Sequence, residues 1–480
     1  MVQRRDAAGP GGRTPHLRIT GVLLLALLVS VPLLIVGLQD AAGAHQATTV
    51  LTNWTTYHAD AIENGIAPST TTFQHATHDW TSPALDGQLY GEPLVDGSLV
   101  VAATETDTVY ALNASTGAVA WSTTVGTPVP AGALPCGDIS PDVGITSTPV
   151  IDAARSGGPE VFVVADEDNA PGYPGITHHL VGLALATGHV LLDEVVDPPG
   201  TTPAAQLQRP GLALDDGSVL VAFGGNAGDC STYHGWVVSV PEGGGTLRTW
   251  EADASAGNDQ GAIWMGGAAP VVDGNGDIWV STGNGSNTTG SSPDGSDSVL
   301  ELSPSLQLVQ SFTPSTWQRD NADDLDLGSS APVVLPTGYV LQIGKSQTAY
   351  VLRASHLGGV GGQVSQRTSV CGSNVDGGSA FTSRTEYVPC LNGVMAVRIS
   401  ARHTLRVLWK TSTGSSGPPI VAGDLVWTVS RSGTLYGLRE SNGRPAVSLS
   451  VGAPATHFPT PSVGAGLLLA PASDQVVAFH

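Results

Sequence analysis

Apolar and polar positions along this chain fall into short alternating runs broken by turn residues, and one phrase of that pattern recurs eight times. Each copy opens on Pro or Ala, passes through two or three apolar residues, turns, and resumes as a second apolar run, as in EPLVDGSLVVAA, RPGLALDDGSVLVAF, AAPVVDGNGDIWVST and TPSVGAGLLLAP. The copies open at Pro93, Pro149, Pro210, Pro270, Pro332, Ala380, Pro419 and Pro461, with spacings of 56, 61, 60, 62, 48, 39 and 42 residues. The clearest copy, Glu92 to Gly126, parses as four strands, with turns at Asp96-Gly97 and Ser115-Thr116-Gly117 and a last strand ending at Trp121. Asp-Gly and Thr-Gly supply the positive φ that tight hairpins need. One four-stranded sheet per repeat, repeated around an axis, is a β-propeller. Helical periodicity is almost absent after the first forty residues, so the pattern predicts an all-β chain.

The last repeat is short of a strand: VGAGLLLAPASDQVVAFH supplies three and stops at His480. Near the other end, TTFQHATHDWTSPA (71–84) reads as a strand without a repeat, with Trp80 where the first full copy has Trp121. Pairing the two would close the ring and remove its open edges. The expectation is eight blades over 71–480, the eighth composite, with seven as the competing count. Residues 45–70 form an N-terminal extension. The longer repeats carry loops at 130–146, 166–178, 224–234, 284–297 and 315–328, so a ligand face is expected there, mainly on the first five blades.

The beginning of the chain follows other rules. Arg4, Arg5, Arg13 and Arg18 precede an apolar run from Ile19 to Leu38, followed by Ala42-Gly43-Ala44. That order reads as a signal peptide over 1–44, or as a retained signal anchor, since the run is long enough to span a bilayer. Either way the rest is expected outside the cytoplasm, secreted or held at the outer face of the membrane, and in contact with the membrane only through this segment.

Charge narrows the partners. Beyond residue 44 there remain 15 basic and 39 acidic residues, a net of −24. Such a surface repels nucleic acid and anionic headgroups, so nucleic-acid binding is excluded. Four cysteines in an exported region favour two disulfides. Cys371 and Cys390 flank one loop and one strand and are expected to pair, which leaves Cys136 with Cys230 across loops of neighbouring repeats. No two cysteines have zinc-site spacing.

ALNASTGAVAW (111–121) resembles the repeat motif of quinoprotein-type propellers, Ala-x-Asp-x-x-Thr-Gly-x-x-x-Trp, with Asn113 in the Asp position. NWTTYHADAIENG (53–65) is similar to an opening frequent in bacterial members of that superfamily. Over about 50–480 the chain thus resembles the bacterial pyrroloquinoline-quinone (PQQ)-binding-like β-propeller proteins, and DSVLELSPSLQLVQSF and DLDLGSSAPVVL resemble exported actinobacterial members. The resemblance implies that Trp121 and Gly117 dock adjacent blades, and that Trp80, Trp250 and Trp409 do the same. It also implies PQQ and Ca²⁺ as candidate cofactors. However, the adjacent cysteines that family enzymes place over the quinone have no counterpart here, and no haem-attaching Cys-x-x-Cys-His is present.

Other candidates are local. Asp320, Asp323, Asp324 and Asp326 cluster in RDNADDLDLGSS and could ligate Ca²⁺. Asp and Asn also turn chains by accepting nearby backbone N–H groups, which is the simpler role. Asp166, Glu167 and Asp168 form a second acidic stretch. His178 and His179 are neighbours on a strand and point to opposite faces. The expected function is a binding or scaffolding module of the cell envelope, taking an envelope protein or a small molecule on the long-loop face. A PQQ-dependent alcohol or sugar dehydrogenase with its site in the axial funnel is the alternative.

Overall fold

Eight innermost strands begin at or just after the eight opening residues: Leu94–Asp96, Val150–Asp152, Ala213–Asp215, Val271–Val272, Val333–Leu335, Ala380–Phe381, Ile420–Ala422 and Ser462–Gly464. The computed structural model describes residues 52–68, 72–169, 175–255, 257–414, 416–452 and 457–480. The expected signal segment, 1–44, lies outside them. Among the described residues, no helix is long and apolar enough to cross a membrane.

Among the described residues each innermost strand starts a sheet of four or five strands, antiparallel but for Gly359–Val360, which joins the fourth blade's sheet in parallel, and there are eight such sheets. This is the predicted eight-bladed propeller. The eighth blade is composite: His78–Thr81 pairs with Gln475–Phe479, and Trp80 lies opposite Ala478. One small sheet, Val129–Pro130 with Asp142–Val143, folds the 130–146 insert back on itself. Middle strands such as Ser218–Gly225 and Leu425–Val429 are buried throughout. Outer strands such as Val119–Thr124 and Pro445–Ser450 alternate toward their outer ends, as strands with one wet face do.

The blades are held together by a repeated contact. Trp80 in the last blade donates its indole N–H to Ala114 O at 2.8 Å, Trp121 donates to Leu185 O at 2.9 Å and Trp409 to Glu440 O at 2.7 Å. Each indole also covers a glycine of the next blade's third turn, Gly117, Gly188 or Gly443, where a Cβ would collide with the ring. All three glycines have positive φ. Trp250 departs from this pattern. It packs half-buried on the apolar cluster between the third and fourth blades, and the turn it faces carries Leu306, not glycine, at positive φ. Its indole makes no hydrogen bond among the described residues. Between the second and third blades a charged clasp takes the tryptophan's place: Arg155 pairs with Glu160 and Glu242 and lies 5.6 Å from the Phe162 ring centre.

The extension preceding the first blade fills the axis. Trp54 pairs with Val95, Thr55 O accepts from Ile151 N, Ala61 O from Val272 N, Asn64 O from Phe381 N and Gly65 O from Val421 N. Residues 52–68 therefore satisfy the free inner edges of the first, second, fourth, sixth and seventh blades. Trp54, Tyr57 and His58 are fully buried in the process.

Candidate functional site

Antiparallel strands alternate in direction, so connections leaving the second and fourth strands of every blade emerge on one face of the ring, and those leaving the first and third on the other. The tryptophan-covered glycines sit in third-to-fourth-strand turns. The long loops sit on the opposite face. There, a cavity of about 310 Å³ opens, lined by Asp138, Arg209, Trp264, Asp326, Asp376 and Phe458 from the connections entering the second, third, fourth, fifth, sixth and eighth blades. A cavity touched from so many blades lies on the axis, and the buried 52–68 segment runs along the inner strands behind it. Three of the loops anticipated for ligand contact contribute: 130–146 through Asp138 and Ile139, 224–234 through Gly225 and Asp229, and 315–328 through Asp324 and Asp326.

The charges of the cavity are unevenly paired. Lys345 reaches Asp324 at 2.9 Å and Asp326 at 2.5 Å, and Asp326 also accepts the Asn284 N–H at 2.8 Å. Burial opposes the charge on Lys345, but these two carboxylates outweigh it and raise its pKa. Burial pushes Asp376 up to about 6. His457 lies 3.6 Å from Asp138, with its pKa lowered chiefly by burial. Trp264 is oriented by its N–H, which donates to Gly225 O at 2.8 Å.

Arg209 has no such carboxylate. It is only 6% exposed, and one guanidinium nitrogen donates to Thr146 O at 3.0 Å. Its guanidinium carbon lies 5.9 Å from the Tyr90 ring centre and 5.8 Å from that of Phe458. Gly267, at φ +90°, leaves the space that a Cβ would take from the guanidinium. Burial lowers the Arg209 pKa to about 10, which leaves it protonated at neutral pH.

The anticipated acidic residues do not converge on one point. Asp320, buried in the helix Trp317–Ala322, accepts from Thr316 Oγ1 and Arg319; Asp323 is exposed at the helix end; Asp324 and Asp326 share Lys345. Among the described residues, no three His, Cys, Asp or Glu side chains are grouped so as to hold a metal ion. In the second acidic stretch, Asp166 lies 3.4 Å from His178, whose other ring nitrogen is 2.6 Å from Asp197. Burial opposes its charge, but these carboxylates hold the His178 pKa up at about 10. His179 turns the other way, to Asp193 at 2.7 Å. The cysteines pair as Cys136–Cys230 and Cys371–Cys390. The first bond ties the 130–146 insert to the 224–234 loop beside the cavity, and both bonds fit an oxidising compartment.

Sequence reasoning missed Arg209, Trp264, Lys345, Asp376 and Phe458. Arg209 did leave one trace: it is a charge set within an otherwise apolar opening phrase, QRPGLAL. The others are single residues in connections of irregular length, where no period marks them.

A family model described as outer membrane protein assembly factor BamB, of the PQQ-repeat kind, matches residues 74–294. No curated protein matches the chain. The chain is similar in fold to the quinohemoprotein alcohol dehydrogenase from Comamonas testosteroni, at 14% identity and TM-score 0.66, covering 89% of this chain and 80% of that one. It is likewise similar to a europium-containing methanol dehydrogenase, at 13% identity and TM-score 0.64, covering 87% and 89%. BamB from Moraxella catarrhalis aligns at 15% identity and TM-score 0.56, covering 84% of this chain and 97% of that one. At these identities the structures speak for fold alone. By architecture this chain is an eight-bladed β-propeller, and over residues 74–294 it is similar to the PQQ-repeat family.

Proposed function

We propose that this protein is a binding module of the cell envelope, exported through its N-terminal segment, whose ligand seat is the axial cavity on the long-loop face. The cavity carries this reading: an apolar wall, a few convergent polar groups and an axial position with the 52–68 segment behind it are what small-molecule sites are made of. The loops around its mouth offer the same face to an envelope protein, in keeping with the assembly factor that describes the matching family.

A second reading, a PQQ-dependent dehydrogenase, is favoured by the Trp264 indole on the cavity wall and by the enzymes that share the fold. The lining fits that cofactor poorly. PQQ is a polycarboxylate, whereas Asp138, Asp229, Asp324, Asp326 and Asp376 outnumber Arg209 and Lys345 around the cavity. Asp324 and Asp326 are already committed to Lys345, which leaves no ready pair of carboxylates for Ca²⁺. The readings separate in a dye-linked assay of the exported chain with added PQQ, Ca²⁺ and a series of alcohols. A binding module gives no turnover above the protein-free blank. Turnover that requires both PQQ and Ca²⁺ would overturn the proposal.

A further inference from the structure

The unpaired guanidinium in the axial cavity identifies what the cavity is shaped to receive. We infer that Arg209 is an anion receptor and that the ligand is a small organic acid, a single carboxylate on an apolar body. This inference rests on the axial cavity being the ligand seat.

Three observations carry it. First, Arg209 is a buried cation without a carboxylate in ion-pair reach among the described residues, in a chain whose acidic residues far outnumber its basic ones. The acid on the same stretch of wall, Asp138, faces His457 and acts on Arg209 only from beyond ion-pair distance. A buried charge left without a counter-charge is strongly destabilising unless something else compensates it. The Tyr90 and Phe458 rings and the Thr146 carbonyl offset part of that cost, yet they use little of a five-donor fork. The remaining donors open on the cavity, and the planar fork matches a carboxylate.

Second, the space is prepared for that group. Gly267 stands where any side chain would press on the guanidinium, and Trp264 is fixed by its own hydrogen bond to Gly225. Third, the remainder of the wall selects the rest of the ligand. Ile139, Leu207, Trp264 and Phe458 offer apolar surface for a hydrocarbon body. Asp138, Asp229, Asp324 and Asp376 repel a second negative charge, so a monoanion is admitted ahead of a dianion or a phosphate. At about 310 Å³ the cavity is at the small end of ligand pockets.

Calorimetric titration of the exported chain with hexanoate, hexan-1-ol and succinate tests the inference. Hexanoate is expected to bind at least tenfold more tightly than hexan-1-ol, which has the same body without the charge, and at least tenfold more tightly than succinate. Arg209→Gln should abolish the preference for hexanoate over hexan-1-ol, and Arg209→Lys should keep part of it. Equal affinity for hexanoate and hexan-1-ol overturns the anion receptor while leaving the cavity as a ligand seat. So does an unchanged preference in Arg209→Gln. If none of the probes binds, the ligand seat falls with it. Should Arg209→Gln fail to fold, the two probes on the unaltered chain decide the matter alone.

Discussion

The two faces of this ring are made from the same strands and obey opposite rules. On the turn face, tight hairpins bring Gly117, Gly188 and Gly443 under Trp80, Trp121 and Trp409, and cohesion comes from neutral indoles and backbone carbonyls, with the Arg155–Glu160–Glu242 clasp in their place between the second and third blades. On the long-loop face, charged groups are buried: Arg209 with no carboxylate, Asp326 against the half-buried Lys345, His178 between Asp166 and Asp197, and Asp107 with both carboxylate oxygens lacking hydrogen-bond partners. Charge buried on the turn face closes on itself in the Arg155–Glu160–Glu242 clasp, whereas Arg209 and Asp107 on the loop face are left without such partners. The contrast separates the part of the molecule that maintains the ring from the part available to a ligand.

Substitutions on each face can break or sharpen that contrast. The largest effect is expected from Lys345→Met on the loop face, which strips Asp326 of its ammonium partner and should cost about 3–5 kcal/mol in denaturant unfolding. A cost below about 1 kcal/mol would mean that the buried pair is not a structural element of that face. On the turn face, Trp121→Ala should cost about 3 kcal/mol by the same measurement while leaving hexanoate affinity unchanged. A matching loss of affinity would erase the division of labour between the faces.

Acidity offers a third handle. Burial, then the neighbouring Asp166 and Glu167 charges, push Asp107 up to about 9, and burial with Asp294 and Asp259 pushes Asp253 up to about 8. In the unfolded chain both would titrate near about 4. Below that they are neutral in both states and carry no penalty; above it the unfolded chain releases protons that the folded one keeps. Stability should therefore fall as pH rises from about 5 toward 8 or 9, by at most about 1.4 kcal/mol per pH unit for each group. Asp107→Asn should flatten the dependence of the thermal midpoint on pH. An unchanged slope would show that Asp107 ionises freely. The smallest effect is expected at Trp250, which lacks the glycine seat and the indole hydrogen bond. Trp250→Phe should cost under about 1 kcal/mol, well below Trp121→Phe.

How much of this was written in the sequence follows the same division. The turn face repeats a pattern: an opening Pro or Ala, a turn Gly and, in several blades, a closing Trp recur from copy to copy, so the eight blades and the composite closure through Trp80 were legible, and the cysteine pairings followed from Cys371 and Cys390 flanking one loop and one strand. Trp250 shows the limit of such reading, because its strand position matches the repeat while the turn it meets carries Leu306. The loop face is assembled from connections of unequal length. Asp138 and Phe458 meet across the cavity although 320 positions of numbering separate them, and no period records that meeting. The RDNADDLDLGSS cluster illustrates the converse. Its carboxylates are close in sequence, but the helix gives Asp320 to Thr316 and Arg319 and leaves Asp323 exposed, while Asp324 and Asp326 share Lys345.

Hydrogen exchange by mass spectrometry, with and without saturating hexanoate, tests the division between the faces most directly. The account predicts slowed exchange in the connections around 207–209, 225–229 and 264–267, and no change in the tryptophan-covered turns at 115–118 and 186–189. Protection confined to those turns, or absent everywhere, would contradict it.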